Sequence, residues 1–377
     1  MDEQCVVIGA GPAGLGTAAM LRRRGVDALL VDRADVVAAS WRARYDGFRL
    51  NTSSWFSYLP GQRFPRTADR WPSRDELVAY YESYAEINGL RFRGGMEVEQ
   101  VHRSDGRWVL HTSGGQIDTR FVVMATGKYR TPVIPSWPGR ESFEREVVHS
   151  TEYRNARPYA GREVLVIGPG ASGFEIAAQI ARADGSKVWL AVRTPPHIVR
   201  RNVGPLPVDL FAVLARRLPV PVVDRLGKLI RRLTIGDLTG YGLDPPPDGI
   251  YTRLKRTGMV GTVNGPYLDS VKSGAVTVVP ALERFDGRTV ILADGSRLNP
   301  EIVIAATGFH RDLEPLLGHL GVLTQDGHPA AHGARTHPNA PHLYFIGFSE
   351  PLSGNLRELR LVAKRIAHAI AATTSNS

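Results

Sequence analysis

The stretch VVIGAGPAG, Val6–Gly14, decides the fold class of this 377-residue chain. It continues a short apolar strand, Gln4–Ile8, and precedes a predicted helix, Leu15–Arg24, and a second apolar strand, Ala28–Val31, that runs into Asp32. Its glycines, Gly9, Gly11 and Gly14, permit a tight turn and let backbone N–H groups approach a pyrophosphate at the helix N-terminus. Since Asp32 can accept ribose hydroxyls, this order predicts a β-α-β unit that binds a dinucleotide.

A second stretch, VLVIGPGASG at Val164–Gly173, repeats the pattern. Its predicted order is strand Glu163–Ile167, the glycines Gly168, Gly170 and Gly173, helix Phe174–Arg182 and strand Lys187–Val192. This strand ends at Arg193, whose guanidinium can pair with a 2′-phosphate that a carboxylate would repel. The sequence therefore predicts NADPH at the second site, whereas Asp32 fits the unphosphorylated ribose of FAD at the first.

Two Ala-Thr-Gly turns indicate how the two domains are connected. VVMATGKY contains Thr126 and Gly127, and IVIAATGFH contains Thr307 and Gly308, each after an apolar strand. Because the second turn lies beyond the second glycine loop, the chain is expected to return to its first domain. The predicted fold is α/β with two Rossmann-like domains, the NADPH domain inserted into the FAD domain. The expected boundaries are 1–144 and 286–377 for FAD and 145–285 for NADPH, with a helical lid near 200–265.

Composition excludes several classes of protein. Cys5 is the only cysteine, so a flavoenzyme that passes electrons through its own redox disulfide is excluded. The formal charge of +10 suits phosphate-bearing cofactors, but the arginines are scattered, so nucleic acid is not a predicted partner. No histidine or carboxylate cluster predicts a metal site. The start MDEQCVVIGAG has no signal-peptide pattern and no apolar run is long enough to span a bilayer, so a cytoplasmic protein without a transmembrane segment is expected.

Two further segments extend the prediction. HLYFIGF ends a strand at Gly347, and a helix is predicted over Leu356–Ile370, so its N-terminus near Asn355 can point its positive dipole end at a reduced flavin. FAVLARRLPVPVVDRLGKLIRRL, residues 211–233, combines apolar and basic residues around two prolines. This segment is interpreted as a lid over the substrate, with a membrane-surface helix as the alternative.

The order of these motifs resembles that of the flavin-containing monooxygenases, a family that includes the plant YUCCA-type enzymes. The segment FEREVVHSTEYR is similar to the family signature ahead of the second glycine loop, with matches at Phe143, His149, Tyr153 and Arg154. Arg145 stands where the family has glycine. The resemblance implies that the matching side chains organise the cofactor domains. Classical Baeyer–Villiger enzymes usually carry tryptophan at the position of Tyr153, which favours oxygenation of a heteroatom.

A second resemblance, to the animal branch of the family, rests on the NTS motif Asn51, Thr52 and Ser53. It implies that the Asn51 amide lies near the flavin and helps to hold its oxygenated form, which makes Asn51 the predicted catalytic residue. An amide among the aromatic residues Trp41, Trp55, Phe56 and Tyr58 would supply hydrogen bonds in a dry environment. Plant YUCCA-type sequences lack this Asn, so their indole-pyruvate chemistry is not carried over.

The predicted function is an FAD- and NADPH-dependent monooxygenase that transfers one oxygen atom of dioxygen, through a flavin C4a-hydroperoxide, to nitrogen or sulfur of a small organic substrate. Two alternatives remain open: Baeyer–Villiger oxidation of a ketone, and a redox sensor that binds flavin and NADP(H) without oxygen transfer. A homo-oligomer is compatible with the sequence. The predicted cofactor-binding residues are Gly9, Gly11, Gly14, Asp32, Arg33, Trp41, Thr126, Gly127, His149, Tyr153, Arg154, Gly168, Gly170, Ser172, Gly173, Arg193, Thr307, Gly308, Gly347 and Asn355.

Overall fold

The structure is a computed structural model in which two units are distinguished, each with its own main sheet, mixed in the first unit and parallel in the second. The described residues are 1–257, 262–263 and 267–375. The first unit comprises Met1–Arg44, Phe48–Thr131 and Phe309–Ser377, and the second comprises Tyr45–Gly47 and Pro132–Gly308. The second unit is therefore inserted into the chain of the first, and the predicted α/β class is confirmed. In the described part of the chain no helix is both long enough and apolar enough to cross a membrane.

The first unit is built on a seven-stranded sheet. With labels in chain order, its strands are β1 (Asp2–Ile8), β2 (Ala28–Val31), β3 (Arg91–Arg93), β4 (Val98–Ser104), β5 (Arg107–Thr112), β6 (Gly115–Met124) and β21 (Leu343–Phe345). Their order in the sheet is β3-β2-β1-β6-β5-β4, with β21 also paired to β6. The parallel part of the sheet consists of β1, β2, β3, β6 and β21, and the antiparallel extension consists of β4 and β5. Short strands at the junctions are β7 (Thr131–Pro132) and β20 (Phe309–His310).

Helices cover the sheet of the first unit. They are α1 (Pro12–Arg22), α2 (Ala39–Arg42), α3 (Arg74–Ile87), α9 (Glu314–Leu317) and α10 (Asn355–Ser375). α3 begins with a capping box, in which Ser73 and Glu76 satisfy each other's backbone N–H groups. α1 packs closely on α10, because a Cβ at Gly16 would lie 3.8 Å from the Ala363 methyl. Because β1 ends at Ile8 and α1 begins at Pro12, the N-terminus of α1 lies at the carboxyl end of that strand.

The second unit contains a five-stranded parallel sheet. Its strands are β8 (Glu146–His149), β9 (Glu163–Ile167), β10 (Lys187–Val192), β15 (Val276–Pro280) and β19 (Ile302–Ala305), and their order in the sheet is β15-β10-β9-β19-β8. The smaller strands are β11 (Ile198–Val199), β12 (Asn202–Val203), β13 (Leu206–Pro207), β14 (Thr262–Val263), β16 (Leu282–Asp286), β17 (Thr289–Leu292) and β18 (Arg297–Leu298). The helices are α4 (Ala171–Ile180), α5 (Val208–Ala215), α6 (Val220–Thr234), α7 (Ile250–Thr257) and α8 (Leu268–Lys272).

The unit boundaries differ from those expected at 144/145 and 285/286. They lie at 131/132 and 308/309 instead. The reason is strand pairing: Ile302 of β19 pairs with Glu146 of β8 and with Val164 of β9, so the second Ala-Thr-Gly strand belongs to the inserted unit. The segment 200–265 forms α5, α6 and α7 as its main helices, and its residues 258–261 and 264–266 lie outside the described residues.

A buried polar cluster ties the short segment Tyr45–Gly47 to the second unit. The Tyr45 hydroxyl donates a hydrogen bond to Oε2 of Glu175 in α4. The guanidinium of Arg201 lies 3.9 Å from the other oxygen of the same carboxylate. Glu175 is 1% exposed and Arg201 is 8% exposed. A charge this deeply buried needs such partners, because desolvation otherwise makes it strongly destabilising.

Candidate dinucleotide-binding sites

The first glycine loop leaves an open space beside the N-terminus of α1. A Cβ at Gly9 would lie 2.5 Å from the Ala125 carbonyl oxygen, and one at Gly14 would lie 1.8 Å from the Gly9 oxygen. These two positions therefore require glycine for backbone packing. A Cβ at Gly11, by contrast, would meet nothing within 4 Å. The space beside Gly11 and the unpaired N–H groups at a helix N-terminus fit a pyrophosphate.

Two polar side chains border this loop. The Asp32 carboxylate follows β2 and accepts hydrogen bonds from the backbone N–H groups of Ala10, at 2.7 Å, and Ala34, at 3.0 Å. Each carboxylate oxygen can accept a further bond, and Asp32 is only half-buried, so it can still accept ribose hydroxyls. The Thr126 hydroxyl is buried and has no hydrogen-bond partner among the described residues. Such an orphaned group fits a site completed by a ligand.

Three further predicted cofactor-binding residues of the first unit are Gly347, Gly127 and Arg33. Gly347 has φ +92° and lies against α1 and α10, since its Cβ would be 3.6 Å from the Ala13 methyl and 3.5 Å from Leu359. Gly127 has φ +77° at the end of its turn. Arg33 is exposed beyond Asp32.

The NTS segment lies beside the N-terminus of α10. A Cβ at Gly354, the residue before Asn355, would be 3.2 Å from the Thr52 methyl. The Thr52 and Ser57 hydroxyls are 2.8 Å apart, and Asn51 is half-buried. The structure therefore brings the predicted catalytic amide and the predicted flavin-facing helix end into the same part of the first unit.

The aromatic enclosure expected around Asn51 is wrong in one respect. Trp55 is 47% exposed, and the Arg70 guanidinium lies 4.9 Å from the centre of its ring. Trp41 is partly buried and packs on Phe48 and Tyr81, with ring centres 6.0 and 5.8 Å apart. Trp55 therefore does not keep water out, because it stacks on a cation at the surface.

Lys128 is a functional candidate that the sequence analysis missed. It follows the first Ala-Thr-Gly turn, is 6% exposed and forms an ion pair with Glu350. The Tyr129 hydroxyl donates to the same carboxylate at 3.1 Å. Burial, with a smaller contribution from Arg311, lowers the pKa of Lys128 to about 7. The only signal in the sequence was a lysine directly after a buried strand and its turn.

The second glycine loop repeats the geometry of the first. A Cβ at Gly168 would lie 2.5 Å from the Ala306 oxygen, and one at Gly173 would lie 1.9 Å from the Gly168 oxygen. A Cβ at Gly170 would meet nothing within 4 Å, so space is again open beside the N-terminus of α4. Ser172 lies half-buried in the first turn of this helix.

Arg193 lies directly after β10 with an exposed side chain. Within the described part of the chain it forms no hydrogen bond or ion pair, so its guanidinium is free to bind an anion. The next two arginines along the chain, Arg200 and Arg201, make contacts within the second unit. Arg200 Nε donates to the Thr234 carbonyl oxygen at 2.7 Å, and Arg201 is buried beside Glu175.

His149 joins the end of β8 to the second Ala-Thr-Gly turn. The Thr151 backbone N–H donates to its Nδ1 at 3.2 Å, so Nε2 carries the proton and donates to the Gly308 carbonyl oxygen at 3.1 Å. Burial lowers the pKa of His149, which favours this neutral form. The adjacent Thr307 hydroxyl donates to the Val133 carbonyl oxygen. His149 is thus a positioning residue for the turn.

The other signature residues are positioned by packing. Tyr153 is fully buried, donates to Gln179 Oε1 at 3.0 Å and packs its ring on Tyr45. The exposed Arg154 donates to the Thr151 carbonyl oxygen at 2.8 Å. Arg145 does not have the positive φ that would require glycine, so its departure from the family pattern does not strain the turn.

Comparison with known proteins identifies the family. Residues 6–203 match the family described as Pyridine nucleotide-disulphide oxidoreductase. The chain is 33% identical over 368 residues to the "Indole-3-pyruvate monooxygenase YUCCA1" of Oryza sativa subsp. japonica, covering 96% of this chain and 90% of that protein.

Solved structures share the fold over the whole chain. The flavin-containing monooxygenase from Stenotrophomonas maltophilia superposes with a TM-score of 0.74 at 22% identity, covering 100% of this chain and 99% of that one. A cyclohexanone monooxygenase bound to epsilon-caprolactone superposes with a TM-score of 0.76 at 19% identity, covering 100% and 88%. The matched family takes its name from disulphide chemistry, but the single cysteine, Cys5, is fully buried in β1. The chain belongs to the flavin monooxygenases within the pyridine nucleotide-disulphide oxidoreductase family and is a flavoprotein oxidoreductase.

Proposed function

We propose that this enzyme uses FAD and NADPH to insert one atom of dioxygen into nitrogen or sulfur of a small organic substrate. The observation that carries the proposal is the pair of complete glycine-loop units, each with one glycine whose Cβ direction is open beside a helix N-terminus. FAD, once reduced by NADPH, supplies the activation of dioxygen. The protein binds and orients the two cofactors and limits the access of water.

The first unit holds FAD in this proposal. The N–H groups at the start of α1 and the space beside Gly11 receive the pyrophosphate, and Asp32 accepts hydrogen bonds from the adenosine ribose. Thr126 supplies its unused hydroxyl to the same ligand. The N-terminus of α10 at Asn355 presents its positive end to the flavin ring, and Asn51 offers both a donor and an acceptor beside it.

The second unit holds NADPH in this proposal. Gly170 leaves room for its pyrophosphate at the N-terminus of α4, and Arg193 pairs with the 2′-phosphate that distinguishes NADPH from NADH. His149 keeps the turn at Gly308 in place through its Nε2–H bond. No protein nucleophile is required, because amine nitrogen and sulfide sulfur are themselves the nucleophiles.

Replacing Arg193 with Ala is expected to raise the KM for NADPH by roughly 10- to 100-fold, the size of one charge-assisted hydrogen-bonded pair. The KM for NADH should change by less than about twofold, because NADH lacks the phosphate that the guanidinium binds. Steady-state kinetics with both nucleotides measure this. Arg182→Ala, another exposed arginine of the second unit, is the matched control. Equal effects of Arg193→Ala on both nucleotides would contradict the assignment.

Replacing Asn51 with Ala is expected to reduce the fraction of consumed NADPH that yields oxygenated product by roughly tenfold, since one hydrogen-bonding side chain is lost. The rate of flavin reduction by NADPH, measured anaerobically, should remain within about twofold of wild type, because Asn51 is not part of the NADPH-binding set. Hydrogen peroxide should account for the lost product. An unchanged product yield would remove Asn51 from the mechanism.

A second candidate is oxygenation at the carbonyl of a 2-oxo acid, and it is favoured by the identity to a protein named for indole-3-pyruvate. Product analysis separates the two candidates. The enzyme is incubated with NADPH and, in turn, dimethylaniline, thioanisole, indole-3-pyruvate and phenylacetone. N-oxide or sulfoxide as the main product supports the proposal, whereas loss of carbon dioxide from indole-3-pyruvate or ester formation from the ketone supports carbonyl chemistry.

A further inference from the structure

The α5–α6 segment exposes a row of aliphatic side chains, termed here the leucine stripe. Its members are Leu214, Leu218, Val222, Leu226, Leu229 and Leu233, with exposed fractions of 38% to 76%. In a soluble protein, single exposed leucines are common, but a continuous row of them marks a contact surface. Within α6, Val222, Leu226, Leu229 and Leu233 follow one another at intervals of four, three and four residues, which places them along one side of that helix. Leu214 lies in α5, and Leu218 lies in the turn between the two helices.

The α6 members of the stripe form a second apolar face of that helix, separate from the one that packs on its own unit. Val223, on the packed side, is 5% exposed. Asp224, also on that side, accepts hydrogen bonds from the Tyr251 N–H at 2.7 Å and from the Thr252 side chain. These contacts fix the rotation of the helix about its axis. The outward direction of Leu226, Leu229 and Leu233 is therefore set by the fold.

Basic side chains border the stripe. The exposed basic residues of the segment are Arg216, Arg217, Arg225, Lys228 and Arg232. Arg225, Lys228 and Arg232 follow one another at intervals of three and four residues, so they form a row beside the stripe on α6. The two carboxylates of residues 208–234 face inward: Asp209 is 3% exposed, and Asp224 is bonded to α7. Over residues 208–234, all of them described, the surface is thus apolar and positive only.

From this pattern we infer that the α5–α6 segment docks on an anionic lipid surface. The apolar row would enter the boundary between the headgroups and the acyl chains. The cationic row beside it would lie at the level of the anionic headgroups, which bind arginine and lysine. A second copy of this chain fits less well. A two-fold contact sets the same patch against itself, and it would bring cationic rows together in a protein of formal charge +10.

Co-sedimentation with vesicles tests the inference on the full-length holoprotein. Vesicles of phosphatidylcholine with about one third phosphatidylserine should sediment the protein, and vesicles of phosphatidylcholine alone should sediment roughly tenfold less. The double variant Leu229→Ser/Leu233→Ser should bind the anionic vesicles about 10- to 100-fold more weakly, since two leucines no longer enter the lipid. Ile87→Ser, which removes a 70% exposed aliphatic side chain from a helix of the first unit, is the control and should bind as wild type.

A charge variant completes the test. Arg225→Gln/Lys228→Gln should lose binding to anionic vesicles, whereas Arg66→Gln/Arg103→Gln, which removes the same charge from exposed positions of the first unit, should not. Sedimentation velocity without vesicles is measured on every variant, together with flavin content. The inference is overturned if wild type does not bind anionic vesicles, if either stripe variant binds as tightly as its control, or if Leu229→Ser/Leu233→Ser converts an oligomer to a monomer. The last result would assign the stripe to a second copy.

Discussion

Gly170→Ala is expected to retain FAD and to lower kcat/KM for NADPH by roughly 100-fold, equivalent to about 2.7 kcal/mol. The added methyl group meets nothing in the protein, and φ at this position is −73°, which alanine adopts freely. The protein itself should therefore be as stable as wild type or slightly more stable. The loss should come only from the space and the N–H groups that the NADPH pyrophosphate requires at the N-terminus of α4.

The crossed variant is Gly11→Ala, which makes the same change in the first loop. Its backbone, with φ −82° and ψ −175°, is extended and suits any residue before Pro12. We expect this variant to fold but to be purified with little FAD. Cofactor content by absorbance, thermal unfolding and stopped-flow reduction measure the pair. If both variants lost the same cofactor, or neither lost any, the assignment of one dinucleotide to each loop would be wrong.

Glu175→Ala is expected to destabilise the second unit by about 3 kcal/mol, because Arg201 loses a carboxylate in a buried position and Tyr45 loses its acceptor. Hydrogen–deuterium exchange of the α4 peptide measures this locally and should accelerate by about 100-fold. Glu163→Ala is the matched control. Its ion pair with Lys187, at 3.3 Å, is largely exposed, so its loss should cost less than about 1 kcal/mol.

Tyr45→Phe refines this prediction. It removes only the hydroxyl that donates to Glu175, so the free energy of unfolding of the second unit should fall by about 1 to 1.5 kcal/mol. If Glu175→Ala lowered the free energy of unfolding by less than about 1 kcal/mol, the buried cluster would not be what stabilises the second unit.

Local sequence signals predicted both glycine loops and placed the strands around them. They placed the following helices too late, at Leu15 and Phe174, whereas α1 begins at Pro12 and α4 at Ala171. The third glycine of each loop lies inside the first turn of its helix. Because glycine has a low helix propensity, the sequence does not predict that this turn is helical. What requires glycine there is the contact with the carbonyl of Gly9 or Gly168, which only the fold creates.

Contacts between distant parts of the chain could not be predicted from the sequence. Glu175 lies 130 positions from Tyr45, and no pattern indicates that the two meet in a buried cluster. The ion pair of Lys128 with Glu350 could not be predicted for the same reason, because the two residues are far apart in the sequence. The strand β19 was assigned to the wrong unit because its partners, β8 and β9, are fixed by sheet order and not by local sequence.

The most direct test of the proposed monooxygenase function is the fate of dioxygen labelled with oxygen-18. The holoprotein is incubated with NADPH, labelled dioxygen and each of the four probe substrates, and products are analysed by mass spectrometry together with NADPH consumption and hydrogen peroxide. The account predicts one labelled oxygen atom per product molecule, one product per NADPH, and the highest yield from the amine or the sulfide. NADPH consumption matched by hydrogen peroxide, with no label in any product, would contradict it.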